Sequence, residues 1–120
     1  KQSDLNENMR RVLVDWLSDV IIEFDMEKET LHLAVSLVDR LLSHCDVKRL
    51  QLQLAGTAAL MIAAKYELIY PPELKDFAYV TDDSYTENQI LKMERKLLSI
   101  VSFDVSVPTP HWFISYLLQL

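Results

Sequence analysis

Glycine and cysteine are almost absent from the chain, which has one of each, Gly56 and Cys45, in 120 residues. Glycine is the residue that most readily takes a positive φ, so we expect few tight hairpins and no glycine-rich phosphate-binding loop. One cysteine cannot form an internal disulfide, and three histidines scattered along the chain do not complete a zinc-binding pattern. The sequence therefore predicts helices joined by short turns, no metal site and a reducing compartment.

Basic residues are also scarce, because 12 Lys and Arg stand against 18 Asp and Glu and the net charge is −6 at pH 7. A nucleic-acid-binding surface needs a concentration of Lys and Arg, so no nucleic-acid partner is expected. No apolar run reaches the ~18 residues that span a bilayer, so no membrane partner is expected either. Half of the residues are hydrophobic, which is enough for one compact domain with its own core.

Motifs of catalysis are missing as well. No nucleophile elbow, P-loop, dinucleotide-binding fingerprint or HExxH motif occurs in the sequence. The adjacent acids Asp82 and Asp83 precede a predicted helix, where carboxylates commonly interact with the free amide groups, and no base or metal ligand accompanies them. We therefore expect a protein that is not an enzyme and that holds no cofactor.

Hydrophobic periodicity predicts an all-α chain with five helices, at about residues 7–24, 30–43, 50–66, 72–80 and 86–102. The third predicted helix is apolar or small on every side from Leu52 to Ala64, so other helices must surround it. Pro72 is expected in the first turn of the fourth helix. Thr86 and Gln89 match a capping box at the start of the fifth helix.

A sixth helical pattern begins at Thr109 and Pro110 and is still running at Leu120, the last residue. An apolar stripe of this kind normally has a partner, so we expect the sequence to continue in a longer protein. No strand pattern and no internal repeat competes with this helical interpretation.

The first predicted helix carries more apolar surface than one core-facing stripe requires. The surplus is an apolar ridge, followed along the helix by two acids; these residues are Met9, Val12, Leu13 and Trp16, then Asp19 and Glu23. One interpretation is that the ridge packs inside the domain. The other is that it binds a peptide that presents a leucine and a basic residue.

Two charged residues lie among apolar neighbours: Lys65 at the end of the third predicted helix and Glu94 within the fifth. Burying a lone charge is costly, so we expect the two to pair with each other or with a partner protein. The alternative is that both are solvent-exposed at helix surfaces.

Several ordered blocks of the sequence resemble the cyclin family. The segment Met9–Leu17 (MRRVLVDWL) is similar to the signature that opens the cyclin box, and further blocks follow in family order: LQLAGTAA at 52–59, AAKYE at 63–67, YPPE at 70–73 and TDDSYT at 81–86. Blocks at these spacings are more specific than any single motif. The YPPE and TDD stretches look most like A-type cyclins, with B-type cyclins second.

The resemblance implies a fold, a domain division and a function. The fold is a five-helix cyclin box around a central third helix, over residues 1–107, with a linker and the first helix of a second box over residues 108–120. The function is that of a regulatory subunit that binds and activates a cyclin-dependent protein kinase in cell-cycle control, in the nucleus and cytoplasm. The energy of binding to the kinase would drive activation, and the chain itself would carry out no chemistry.

The resemblance also assigns site residues. The kinase-binding residues it implies are Lys65, Tyr66, Glu94, Leu98, Phe103 and Val105. The docking groove for Arg-x-Leu motifs of substrates and inhibitors comprises Met9, Val12, Leu13, Trp16, Asp19, Glu23, Arg49, Leu52 and Gln53. Within this groove, Asp19 and Glu23 correspond to acids that receive the basic residue of the motif.

An alternative class shares the same fold: the cyclin-like helical repeat of a general transcription factor, which binds DNA and transcription proteins. That class predicts a basic face and no pairing of Lys65 with Glu94. The net charge of −6 fits it poorly.

Overall fold

The computed structural model describes residues 5–103, with the side chains of residues 5–101. Within this part of the chain there are five helices and no strand, as the sequence predicts; they are α1 Glu7–Glu23, α2 Lys28–His44, α3 Arg49–Glu67, α4 Leu74–Val80 and α5 Glu87–Phe103. The predicted sixth helix, the domain boundary at residue 107 and the linker at 108–120 lie outside the described residues.

Helix α3 lies at the centre of the domain and contacts each of the other four helices. Every residue from Leu54 to Ala64 is buried, and six residues between 55 and 64 are alanine or glycine. Small side chains let neighbouring helix axes approach closely, and the larger side chains of those helices then fill the space. The prediction of a central third helix is confirmed.

Helix α4 begins later than predicted. The expected start was Pro72 in the first helical turn, but the helix runs from Leu74, with Glu73 as its N-cap. The backbone N–H of Glu73 donates to the carboxylate of Asp76 at 2.9 Å, and this bond closes the first turn without help from the prolines. Pro71 and Pro72 therefore lie before the helix, in the connection from α3.

The predicted capping box at the start of α5 is present. The Thr86 N–H donates to the Gln89 side-chain oxygen at 2.7 Å, and the Gln89 N–H donates to the Thr86 hydroxyl at 3.1 Å. Two amide groups that the helix leaves without an internal partner are satisfied in this way.

Three aspartates take the left-handed backbone conformation in the turns. Asp25 between α1 and α2 has φ 57°, and the consecutive residues Asp82 and Asp83 between α4 and α5 have φ 60° and 59°. The scarcity of glycine suggested few such positions, and this expectation was incomplete. Aspartate tolerates positive φ better than most residues because its short polar side chain can bond to the nearby backbone.

The α4–α5 turn is tied to the start of α3 by a tyrosine. The Tyr85 hydroxyl donates to the backbone carbonyl of Leu50 at 2.8 Å, across 35 residues of sequence. Burial raises the pKa of Tyr85 above its ordinary value of 10.0, because the charged phenolate is poorly solvated there.

No helix in the described part of the chain is long and apolar enough to cross a membrane. Residues 5–103 also contain no cluster of three or more side chains able to hold a metal ion.

The substitution Tyr85→Phe tests the tie between the turn and α3. We expect it to lower the free energy of unfolding at pH 7 by about 1 kcal/mol, because the hydrogen bond to Leu50 is lost. The raised pKa means that the folded state holds the phenol proton more tightly than the unfolded chain. The contribution of Tyr85 is therefore complete below pH 10 and declines as the pH rises through the folded-state pKa.

Urea unfolding at pH 8 and at pH 11 measures both effects, so the difference between parent and Tyr85→Phe should shrink at the higher pH. Tyr70→Phe is the matched control, because the Tyr70 side chain is 91% exposed. Equal effects of the two substitutions would contradict the role given to Tyr85.

Candidate functional site

A charged pair joins the end of α3 to the middle of α5. The Lys65 ammonium donates to a carboxylate oxygen of Glu94 at 2.6 Å. Glu94 is 7% exposed and the Lys65 side chain is 27% exposed, so the pair is partly buried at the edge of the core. The mutual pairing that the sequence suggested is therefore present.

Both members of the pair keep hydrogen-bonding capacity. An ammonium group has three N–H donors and a carboxylate has two acceptor oxygens, so a single contact leaves the others for a partner. Lys65 lies in the last turn of α3, where its positive charge also complements the free carbonyl groups of the helix. The pair can therefore bind polar backbone groups of another protein without first breaking apart.

Two of the other predicted kinase-binding residues lie close to this pair along the same helices, and two have side chains outside the described part of the chain. Leu98 lies one helical turn after Glu94 on α5 and is 7% exposed, and Tyr66 is partly buried next to Lys65. Phe103 is the last residue of α5, and its side chain lies outside the described part of the chain, as does all of Val105. The side chains of four of the six predicted residues are thus described, and two of these four, Lys65 and Glu94, are in contact.

A groove runs between α1 and the start of α3. Its volume is about 330 Å³, and its lining residues are Asn8, Met9, Val12, Leu13, Arg49, Leu52 and Gln53. Six of the nine predicted docking residues therefore line one continuous surface. The other three, Trp16, Asp19 and Glu23, lie further along α1 beyond the lined part, with both acids exposed and Trp16 packed partly against the core.

The groove has an apolar floor and a polar rim. Leu13 and Leu52 are 5% and 6% exposed, whereas Val12 is 59% exposed. The interpretation that the ridge packs inside therefore holds for Leu13, whereas Val12 faces solvent at the groove. A concave apolar surface with a few polar groups at its edge is typical of a site that receives one apolar side chain.

Asn8 was missed by the sequence analysis. It lines the groove, and its side-chain oxygen accepts a hydrogen bond from Arg11 at 3.1 Å. Because this bond uses the oxygen, the amide nitrogen remains as a donor at the rim. Its position one turn before Val12 on the same helix is the signal that could have identified it.

A second ion pair, which the sequence did not predict either, joins α1 to α2. The Arg10 guanidinium donates to both carboxylate oxygens of Asp39 on α2, each at 2.8 Å, and this bond raises the pKa of Arg10. A two-bond contact restrains the rotation of α1 about its axis more than a single bond does. The pair lines a larger, shallow depression of about 650 Å³ between α1 and α2, which contains none of the predicted site residues.

Comparison with protein families gives one match that covers most of the chain, the N-terminal domain of cyclins, over residues 1–106. Among similar proteins, cyclin-A1 of Homo sapiens is 54% identical over 114 residues, which is 95% of this chain and 24% of that protein. Cyclin-A2 of Gallus gallus is 50% identical over 115 residues, 96% of this chain and 29% of that protein.

The G2/mitotic-specific cyclin-A of Spisula solidissima is 51% identical over 113 residues, 94% of this chain and 27% of that protein. The chain therefore spans about a quarter of the length of these relatives. Among solved structures, a viral cyclin from herpesvirus saimiri superposes with a TM-score of 0.79 over 88% of this chain and 46% of that one, at 24% identity. That likeness supports the fold alone.

Removing one member of the charged pair should destabilise the domain more than removing both. Lys65→Met leaves the buried Glu94 carboxylate without its donor, so we expect the free energy of unfolding to fall by about 1–2 kcal/mol, a value reduced for the partial exposure of Lys65. The double variant Lys65→Met/Glu94→Leu should recover at least half of this loss, because no uncompensated charge remains. Urea unfolding measures both; a double variant less stable than Lys65→Met would contradict the pairing.

Proposed function

This chain belongs to the cyclin family, and we propose that it binds and activates a cyclin-dependent protein kinase and recruits substrates and inhibitors that carry Arg-x-Leu motifs. Cyclins are regulatory subunits and not enzymes, and the relatives that are about half identical are A-type cyclins. We extend the proposal to action in the nucleus and cytoplasm, as membership of the family implies.

The observation that carries the kinase-binding proposal is the Lys65–Glu94 contact of 2.6 Å at the surface end of α3. A charged pair already held in place in the free chain loses little conformational freedom when a partner binds. The remaining ammonium donors and carboxylate lone pairs suit the backbone groups of a segment beside the C-helix of the kinase. Leu98 and Tyr66, which pack in or on the core, are the apolar residues assigned to the same site.

Activation then follows from a shift between two kinase conformations. The active state of a protein kinase requires a Lys–Glu ion pair between its β3 strand and its C-helix. A cyclin that binds only the inward position of the C-helix stabilises the state in which this pair is formed. The cyclin chain contributes binding energy in this mechanism and touches no reacting atom.

Substrate recruitment is assigned to the groove between α1 and α3. A leucine side chain buried on its apolar floor gains about 1.5–3 kcal/mol. The exposed acids Asp19 and Glu23 add a modest attraction for a basic residue, because salt screens exposed charges. Together these contributions support weak, selective binding, which is enough to raise the local concentration of a substrate.

The transcription-factor alternative predicts a basic face and no Lys65–Glu94 pair. The chain has a net charge of −6, and the pair is formed. No observation in the described residues favours the alternative.

Kinase binding can be tested by adding the chain to a monomeric cyclin-dependent kinase and measuring co-elution and phosphorylation of a peptide substrate. We expect the parent chain to co-elute and to raise activity, and Lys65→Ala/Glu94→Ala to reduce both at least tenfold, because the polar contacts to the kinase backbone are lost. Helix content and urea unfolding establish that the variant is folded.

The matched control is Glu87→Ala/Lys92→Ala, which removes one acid and one base from exposed positions of α5. This control should co-elute and activate like the parent. A folded parent chain that neither co-elutes nor activates would contradict the proposal for this chain, as would an equal loss in both double variants.

Docking can be tested with a synthetic Arg-x-Leu peptide and a matched Arg-x-Ala peptide, by measuring the dissociation constants. Val12→Asp should weaken binding of the leucine peptide at least tenfold, because a carboxylate at the groove would be desolvated by the bound side chain. Ile22→Asp is the control, since Ile22 is an exposed apolar residue of the same helix and does not line the groove. Equal effects of the two substitutions would contradict the assignment of the groove.

A further inference from the structure

The only glycine of the chain lies directly beneath the floor of the docking groove. Gly56 is in the middle of α3, one helical turn after Leu52 and Gln53, which line the groove. On the facing helix, α1, the nearest side chain is that of Leu13, which forms part of the floor.

The space above Gly56 is fully taken by Leu13. A Cβ atom built at Gly56 would lie 2.8 Å from Leu13 Cδ1 and 3.4 Å from both Cγ and Cδ2. A separation of 2.8 Å between two carbon atoms is well inside van der Waals contact, so an alanine at this position would force Leu13 to move. The atom in conflict is the end of a flexible side chain, so the movement does not require the helices to separate.

The direction in which Leu13 can move is set by its other neighbours. Towards α2, Leu13 shares a narrow gap with Val14, Leu17, Val35 and Val38, where the remaining space is too small for a water molecule. The adjoining free space is the groove, with its volume of about 330 Å³. A displaced Leu13 would therefore rise into the groove and make its floor shallower.

Helix propensity does not explain why glycine rather than alanine occupies position 56. Glycine in a helix interior is less favourable than alanine, and α3 has alanine at five other buried positions. The close contact with Leu13 is what alanine could not preserve.

We propose that Gly56 is a positioning residue that sets the depth of the groove, and thereby its fit to a leucine side chain. The inference rests on the proposed docking function. The inference predicts that a substitution at Gly56 changes docking without changing kinase binding. Lys65 lies nine residues further along α3, about 13 Å away on a helix.

The test is a double-mutant cycle of Gly56→Ala and Leu13→Val, with the dissociation constant of the Arg-x-Leu peptide as readout. Gly56→Ala alone should weaken binding about tenfold, which corresponds to part of the burial of one leucine. In the Leu13→Val background the same change should weaken binding less than twofold, because valine lacks the Cδ atoms that would conflict. Kinase co-elution should be equal for the parent chain, the two single variants and the double variant.

A second readout is the NMR spectrum of the Leu13 methyl groups, which should shift in Gly56→Ala and not in Ile22→Asp. Unchanged peptide binding in Gly56→Ala, or an equal loss in both backgrounds, would overturn the role of Gly56 while leaving the docking function intact. A folded parent chain that does not bind the peptide would overturn the docking function itself. If the parent chain does not bind the peptide, the methyl spectrum still tests the steric role of Gly56. Unshifted Leu13 resonances in Gly56→Ala would overturn that role, and shifted ones would support it.

Discussion

Burial of α3 on all sides is the constraint on which the rest of this domain depends. A helix enclosed by four others cannot carry large side chains on every face, because the enclosing helices would be held too far apart to form a continuous core. Alanine and glycine along its buried length resolve this conflict. The neighbouring helices then supply the volume, with fully buried residues such as Leu17, Leu41 and Phe77.

The enclosure of α3 by other helices also determines where on α3 the two candidate sites can lie. Only its ends reach the surface, so the residues of α3 that can meet a partner lie near Arg49 at one end and Lys65 at the other. Leu52 and Lys65 are separated by about 20 Å along a rigid helix. The proposed kinase-binding site and the proposed docking groove therefore use different ends of α3.

The sequence predicted the candidate site unevenly, and the reason differs from residue to residue. Lys65 and Glu94 were found because a charge among apolar residues is a local anomaly that needs a partner. Arg10 and Asp39 were not found, although they form two hydrogen bonds of 2.8 Å, because each lies on an ordinary amphipathic helix face where a charged residue is no anomaly. Helical spacing placed Trp16 on the apolar ridge of α1 and the family resemblance assigned it to the groove, but spacing gives only a direction from the helix axis, and the lined part of the groove ends before Trp16.

Local interactions explain what the sequence determined by itself. The number and order of helices follow from hydrophobic periodicity, the start of α5 follows from the capping bonds of Thr86 and Gln89, and the central place of α3 follows from its lack of a polar face. Only the tertiary structure decided that Arg10 joins α1 to Asp39 on α2, how closely Leu13 packs on Gly56, and which of the alternatives for Lys65 and Glu94 holds. These depend on distances between helices that are remote in sequence, and such distances result from packing the whole core at once.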